Sequence, residues 1–139
     1  MKIELTKKID LHDKKVVEEG LKKHNRQFAP DDNHQELFVF LRDEKGEIRG
    51  GILAGTYWDW LHIDIFWIEK SMRGGGYGTR MLKAAEEEAI KRGCGNAHLD
   101  THDFQALGFY QKNGYEICGQ LDDLPQGHTR YLLKKHLIK

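Results

Sequence analysis

At 139 residues the chain falls in the size range of one domain and is long enough to bury a core. Apolar residues make up 39% of it and aromatics 10%, too rich for a disordered segment, and 22 basic side chains balance 22 acidic ones, so no global field favours nucleic acid or an anionic membrane. No apolar run approaches the roughly 20 residues of a membrane helix, and Met1-Lys-Ile-Glu-Leu enters charged sequence without an apolar h-region, which makes the cytoplasm the expected compartment.

Along the chain, Lys2–Leu5 alternates polar and apolar residues and reads as a first strand. Asp10–Asp13 supplies capping residues for a helix over Lys14–Lys23, with Val16, Val17 and Leu21 turned inward. Asn25–Gln35, with Pro30 and Asp31-Asp32, reads as a loop or a short irregular helix. Glu36–Arg42 and Ile48–Tyr57 are β-rich runs around Asp43-Glu44-Lys45-Gly46-Glu47, a hairpin with glycine in its turn. Leu61–Ile68 is a third strand, its alternation setting Ile63, Ile65 and Trp67 on one face and His62, Asp64, Phe66 and Ile68 on the other.

The period then changes from two to 3.6. Thr79–Arg92 places Leu82, Ala85 and Ala89, with Met81 and Ile90 beside them, on one stripe of a helix. Glu87–Lys91 and Glu88–Arg92 are i,i+4 pairs, Gly93 stands at C′, and the Glu86–Glu88 run reads as a solvated face. Ala97–Thr101 is a short strand, Gln105–Asn113 a short helix ending at Gly114, and Tyr115–Leu121 and Thr129–Leu137 close the fold. With no linker and no repeat, the expectation is one α+β domain over residues 1–139, a mixed sheet with helices on its faces. Cys94 and Cys118, without CxxC spacing, read as packing residues.

The most informative stretch is Arg73-Gly-Gly-Gly-Tyr-Gly-Thr79, between a strand and the long helix. Glycine lets a backbone approach a ligand closely and reach positive φ. The helix that follows offers unpaired N–H groups and the positive end of its dipole, together an anion site suited to a diphosphate. Arg73 adds a charge and Thr79 a hydroxyl. A P-loop requires lysine after Gly78, where Thr79 stands, and the dinucleotide fingerprint requires a third glycine where Met81 stands. The preceding meander is also no βαβ unit.

Arg73-x-x-Gly76-x-Gly78 after an apolar strand resembles the acetyl-CoA signature Q/R-x-x-G-x-G/A of the GNAT acetyltransferase family. A second segment, Asp103 to Tyr115, is similar to the family's later motif N-x-x-A-x-x-L/F-Y-x-K-x-G-F/Y, with Ala106, Phe109, Tyr110, Lys112, Gly114 and Tyr115 in register. The resemblance implies a mixed, mostly antiparallel sheet flanked by helices, and an N-acetyltransferase with acetyl-CoA as co-substrate and no metal. It further implies that the backbone at Ile68 and Glu69 holds the pantetheine arm. The amides of Arg73, Gly74, Gly75, Gly76, Tyr77, Gly78 and Thr79 would hold the pyrophosphate. A splay between the strand ending at Ile68 and the strand at Ala97–Thr101 would receive the thioester, and Tyr110, beside the sulfur, would protonate the leaving thiolate. Asp103 stands where the family commonly has a cofactor-contacting asparagine, and an aspartate carries no amide donor there. A homodimer is common in the family.

An alkylamine with pKa about 10.4 is mostly protonated at pH 7, so presenting its free base costs about 4 to 5 kcal/mol, and the enzyme should supply a base or a water relay. Where the family often places a glutamate, this chain has His62, with Asp64 two residues on and Glu69 behind; solvated residues on a half-exposed strand are the competing reading. The acceptor is expected to be an amine of a small molecule or peptide. The rival to catalysis is a non-catalytic acyl-CoA-binding module on the same scaffold. Tyr57-Trp58-Asp59-Trp60 could line the acceptor site, cap the core or form a dimer contact. His98-x-Asp100-x-His102 has the spacing of a metal face but no supporting ligand motif.

Overall fold

The computed structural model describes residues 1–138. The chain divides into two compact units, the first Met1–Asp32 and the second beginning at Asn33.

The first unit contains helix α1 (Leu11–Asn25), capped by Asp10, whose Oδ1 accepts from the N–H of His12 at 2.6 Å and of Asp13 at 3.4 Å. Lys22, Lys23 and His24 occupy its last turn, where the dipole favours cations. Two expectations fail here. Residues 2–5 form no strand, because a strand exists only in a ladder and this stretch joins none. Val16, Val17 and Leu21 are exposed rather than turned inward, since a unit built on one helix has no second layer of its own to bury them against.

The second unit is built on a six-stranded sheet of order β1-β2-β3-β4-β6-β5. Its strands are β1 (Gln35–Arg42), β2 (Ile48–Tyr57), β3 (Trp60–Ile68), β4 (Asn96–His102), β5 (Glu116–Asp122) and β6 (Thr129–His136). Only β3 and β4 pair in parallel; the other neighbours are antiparallel, giving the mixed, mostly antiparallel sheet expected. In the β1–β2 hairpin Asp43 Oδ1 accepts from the amides of Lys45 and Glu47, and Gly46 takes φ +80°. Trp58 and Asp59 form the two-residue turn into β3, both at positive φ as a primed hairpin turn demands.

The face assignment for β3 needs correcting. Its pairing with β2 steps from Ala54↔Ile63 to Leu53↔Ile65, so Asp64 is an extra residue on a bulge. A bulge inverts the alternation beyond it. Leu61 and Ile63 are buried and Phe66 and Ile68 follow them inward, whereas Ile65 and Trp67 are exposed.

Helix α2 (Tyr77–Lys91) covers β1, β2 and β3 with Met81, Leu82, Ala85 and Ala89, all buried against a core that includes Ile52, Leu61 and Leu133. Ile90, expected on this stripe, is exposed. The helix ends in a Schellman arrangement: the Gly93 amide donates to Ile90 O and the Cys94 amide to Ala89 O, each at 2.9 Å, with Gly93 at φ +90°. Glu86 is not solvated. It is buried, accepting from the Tyr115 hydroxyl at 2.8 Å and from Lys135 Nζ at 2.9 Å.

Helix α3 (Leu107–Lys112) begins later than expected, because Gln105 Oε1 instead caps the end of β4 by accepting from the His102 amide at 2.8 Å. Cys94 is a buried packing residue whose thiol pKa is pushed up by burial, and Cys118 is exposed on β5.

Candidate functional site

The sheet forks at its centre. Parallel pairing of β3 with β4 runs from Trp60↔Asn96 to Ile63↔Leu99 and stops, while β3 continues to Ile68 along β2 and β4 continues to His102 along β6. Residues 64–68 therefore have no ladder partner on the β4 side. A cleft of about 940 Å³ fills the fork. It reaches from Asp64 and Asp100 at the apex, past Tyr110, to the loop at Gly74, Gly76 and Gly78.

Conformation at that loop explains its glycines. Gly74 and Gly76 sit at φ +87° and +82°, Gly76 is the N-cap of α2, and a Cβ on Gly78 would come within 3.1 Å of the Phe109 ring. The Arg73 amide donates to Lys70 O at 3.2 Å, closing a single 3-10 turn over Lys70–Met72, and the Arg73 side chain staples the loop by donating through Nε to Ile68 O at 3.0 Å. The next hydrogen bond in the chain is the Arg80 amide to Gly76 O, so among the described residues the N–H groups of residues 74–79 take no protein acceptor. This is a bare row of donors beside the cleft, at the positive end of α2.

Tyr110 is only 6% exposed, held edge-on by Phe66, Phe109 and Tyr115. Its side chain lines the cleft. Burial, with a smaller contribution from the charge of Asp100, pushes its pKa up to about 12. The phenol is therefore a protonated donor at neutral pH.

The structure brings together Asp64, Ile68, Arg73, Gly74, Gly76, Gly78, Thr79 and Tyr110 on the cleft wall. Other predicted residues stand elsewhere. His62 is stacked on His98, ring centroids 4.5 Å apart, and His98 in turn meets the Tyr57 hydroxyl at 2.9 Å. The bulge separates His62 from Asp64, so the two do not act as neighbours on one regular strand face. Burial is the main reason the His98 pKa is lowered, with His62 adding to it. Glu69 is spent inside the fold: its amide donates to Arg49 O at 2.8 Å, its carbonyl accepts from the Met72 amide, and its carboxylate pairs with Arg49 at 3.0 Å. Asp103 turns to β6, accepting from the Thr129 amide at 2.9 Å and facing His128 Nδ1 at 2.8 Å, and these bonds lower its pKa. Gly75 packs on the Tyr77 ring, which lies over Arg80 on the outer side of the loop.

His98, Asp100 and His102 take separate partners: Tyr57, Arg130 and Gln105. Among the described residues no group of histidine, cysteine and carboxylate side chains gathers to hold a metal, and no helix is long and apolar enough to cross a membrane. Sequence reasoning missed Asp100 as a cleft residue. Its place in the cleft follows from the β3–β4 pairing, which stops one residue before it at Ile63↔Leu99.

The sequence matches the model of the acetyltransferase (GNAT) family over residues 6–115. It is 42% identical over 95 residues to a blasticidin-S acetyltransferase of Streptomyces morookaense, covering 68% of this chain and 70% of that protein. It is 30% identical over 126 residues to an acetyltransferase of Agrobacterium fabrum, covering 91% and 92%. The fold superposes on the crystal structure of an acetyltransferase from Bacillus cereus with a TM-score of 0.86 at 29% identity, covering 96% and 97%.

Proposed function

The chain belongs to the GNAT acetyltransferase family, and from that premise we propose that it binds acetyl-CoA along the forked cleft and transfers the acetyl group to a primary amine of a small molecule or peptide. The observation that carries this reading is the row of unpaired amides from Gly74 to Thr79, beside a cleft that Tyr110, protonated at neutral pH, also lines. The reading covers residues 1–139 as one acetyltransferase domain, because the family match runs through both units. It also includes a cytoplasmic setting.

In this reading each wall of the cleft has one task. Amides of residues 74–79 and the charge of Arg73 hold the pyrophosphate. Backbone groups of 64–68, without a ladder partner on the β4 side, hydrogen-bond the pantetheine arm as an added strand would, and one N–H there steadies the developing oxyanion. Acetyl-CoA supplies the thioester. Asp64, exposed on the bulge, takes a proton from the acceptor amine, directly or through water, and Tyr110 donates its proton to the departing thiolate sulfur. His62, Glu69 and Asp103 take no part in this scheme, since their partners hold them elsewhere.

Calorimetric titration with acetyl-CoA tests the site directly, and heat absent at millimolar concentration would remove the reading. Gly76→Val refines the test. A Cβ on Gly76 meets nothing within 4 Å, so the substitution acts through its φ of +82°, which a β-branched residue adopts only under strain. The expected result is an acetyl-CoA Kd raised about 10- to 100-fold with the sheet intact by circular dichroism.

A further inference from the structure

The register of the fork supports a specific role at its apex, on condition that the acetyl-transfer reading holds. Pairing ends at Ile63↔Leu99, so the next residues, Asp64 and Asp100, begin opposite arms of the fork, and both line the cleft with Tyr110. Their surroundings differ. Asp64 is exposed on the bulge. Asp100 is gripped by Arg130 of β6, whose Nη2 donates to Oδ2 at 2.6 Å, the arginine side chain 35% exposed and the aspartate 31%. The Arg130 Nε is buried without a partner, so this guanidinium is held by packing and by the one carboxylate. Asp100 Oδ1 receives no protein donor among the described residues. The charge of Asp100 also reaches the Tyr110 hydroxyl, which puts this carboxylate near the reacting end of the cleft.

We propose that Asp100, clamped by Arg130, anchors the ammonium group of the acceptor across from Asp64, so that the enzyme acetylates cationic amines and discriminates against uncharged ones. The ammonium donates one N–H to Asp100 Oδ1, a charge-assisted hydrogen bond, and loses a different proton to Asp64. The freed lone pair forms the N–C bond, the C–S bond breaks, and the sulfur takes the proton of Tyr110. The second proton shed by the nitrogen restores the Tyr110 hydroxyl. One proton is released overall, from Asp64 to solvent. Asp100 thus sets acceptor affinity, whereas Asp64 and Tyr110 set the rate.

The test is steady-state thiol release from acetyl-CoA with 1,4-diaminobutane and 2-phenylethylamine, both cationic at neutral pH, against aniline, which is uncharged. The expected result is turnover of the two cationic amines and little of aniline. Asp100→Asn should raise the acceptor KM about 10-fold or more, while the KM for acetyl-CoA stays unchanged. Asp100→Glu should recover part of the loss. Arg130→Gln, which loosens the clamp and keeps the carboxylate, should raise the same KM by less, and it stands in should Asp100→Asn not fold. Equal turnover of aniline, an acceptor KM unmoved by Asp100→Asn, or a matching rise in the acetyl-CoA KM would each overturn the assignment. So would acetyl-CoA binding without acetylation of either cationic amine. An unaltered chain that binds no acetyl-CoA overturns the acetyl-transfer reading, and this assignment falls with it.

Discussion

Tyr110→Phe is expected to lower kcat by about 10²- to 10⁴-fold, the range of a positioned general acid, with acetyl-CoA affinity nearly unchanged. The ring packs against Phe66, Phe109 and Tyr115, and phenylalanine keeps all three contacts. The hydroxyl makes no hydrogen bond to a described residue and the side chain lines the cleft, so its removal leaves no protein group unpaired. Stability should therefore hold while turnover falls. Burial raises the pKa of this phenol from 10.0 to about 12, so no alkaline loss of activity below pH 10 should trace to it. The folded state keeps this proton where the unfolded chain releases it. Its contribution to stability is thus fully present below pH 10 and lost as the pH rises toward about 12. Pre-steady-state acetyl transfer and a pH–rate profile check both statements; a kcat within a few-fold of the unaltered enzyme would return Tyr110 to a packing role.

The largest stability effect is expected at Glu86→Ala, which should cost about 2 to 4 kcal/mol in urea unfolding. Glu86 ties three parts of the fold together: it lies on α2, accepts from Tyr115 between α3 and β5, and pairs with Lys135 of β6. Alanine would leave the Tyr115 hydroxyl buried without an acceptor and the Lys135 ammonium, 24% exposed in its side chain, without its counter-charge. Glu86→Gln keeps an acceptor oxygen and should cost less. Equal costs for the two substitutions would show that the charge contributes nothing.

Glu86 also marks where reading along the chain reaches its limit. In sequence it is one of three consecutive glutamates, and only Lys135, 49 residues away, makes one of them a buried partner. The α1 stripe is a similar case, since its apolar spacing was evident but burial depends on a second layer that its unit does not contain. Asp103 stands where the family motif has asparagine, and the amide of Thr129 and the ring of His128 take its carboxylate away from the cleft.

Local chemistry is what the amino-acid order determined unaided. The hairpin turn at Asp43–Glu47, the α2 stripe with its glycine stop and the donor loop at 74–79 all follow from spacing and from residues a few positions apart, whereas the place of Tyr110 was legible only through the family resemblance. Tertiary pairing alone decided which face β3 turns inward and which acidic groups line the cleft. The bulge at Asp64 appears only when β3 is laid against β2, and Asp100 and Asp64 line one cleft only because the β3–β4 pairing stops at Ile63↔Leu99. A period-two pattern carries no record of an inserted residue, and a carboxylate carries no record of the arginine that will hold it. Both are properties of partners that lie far off in sequence.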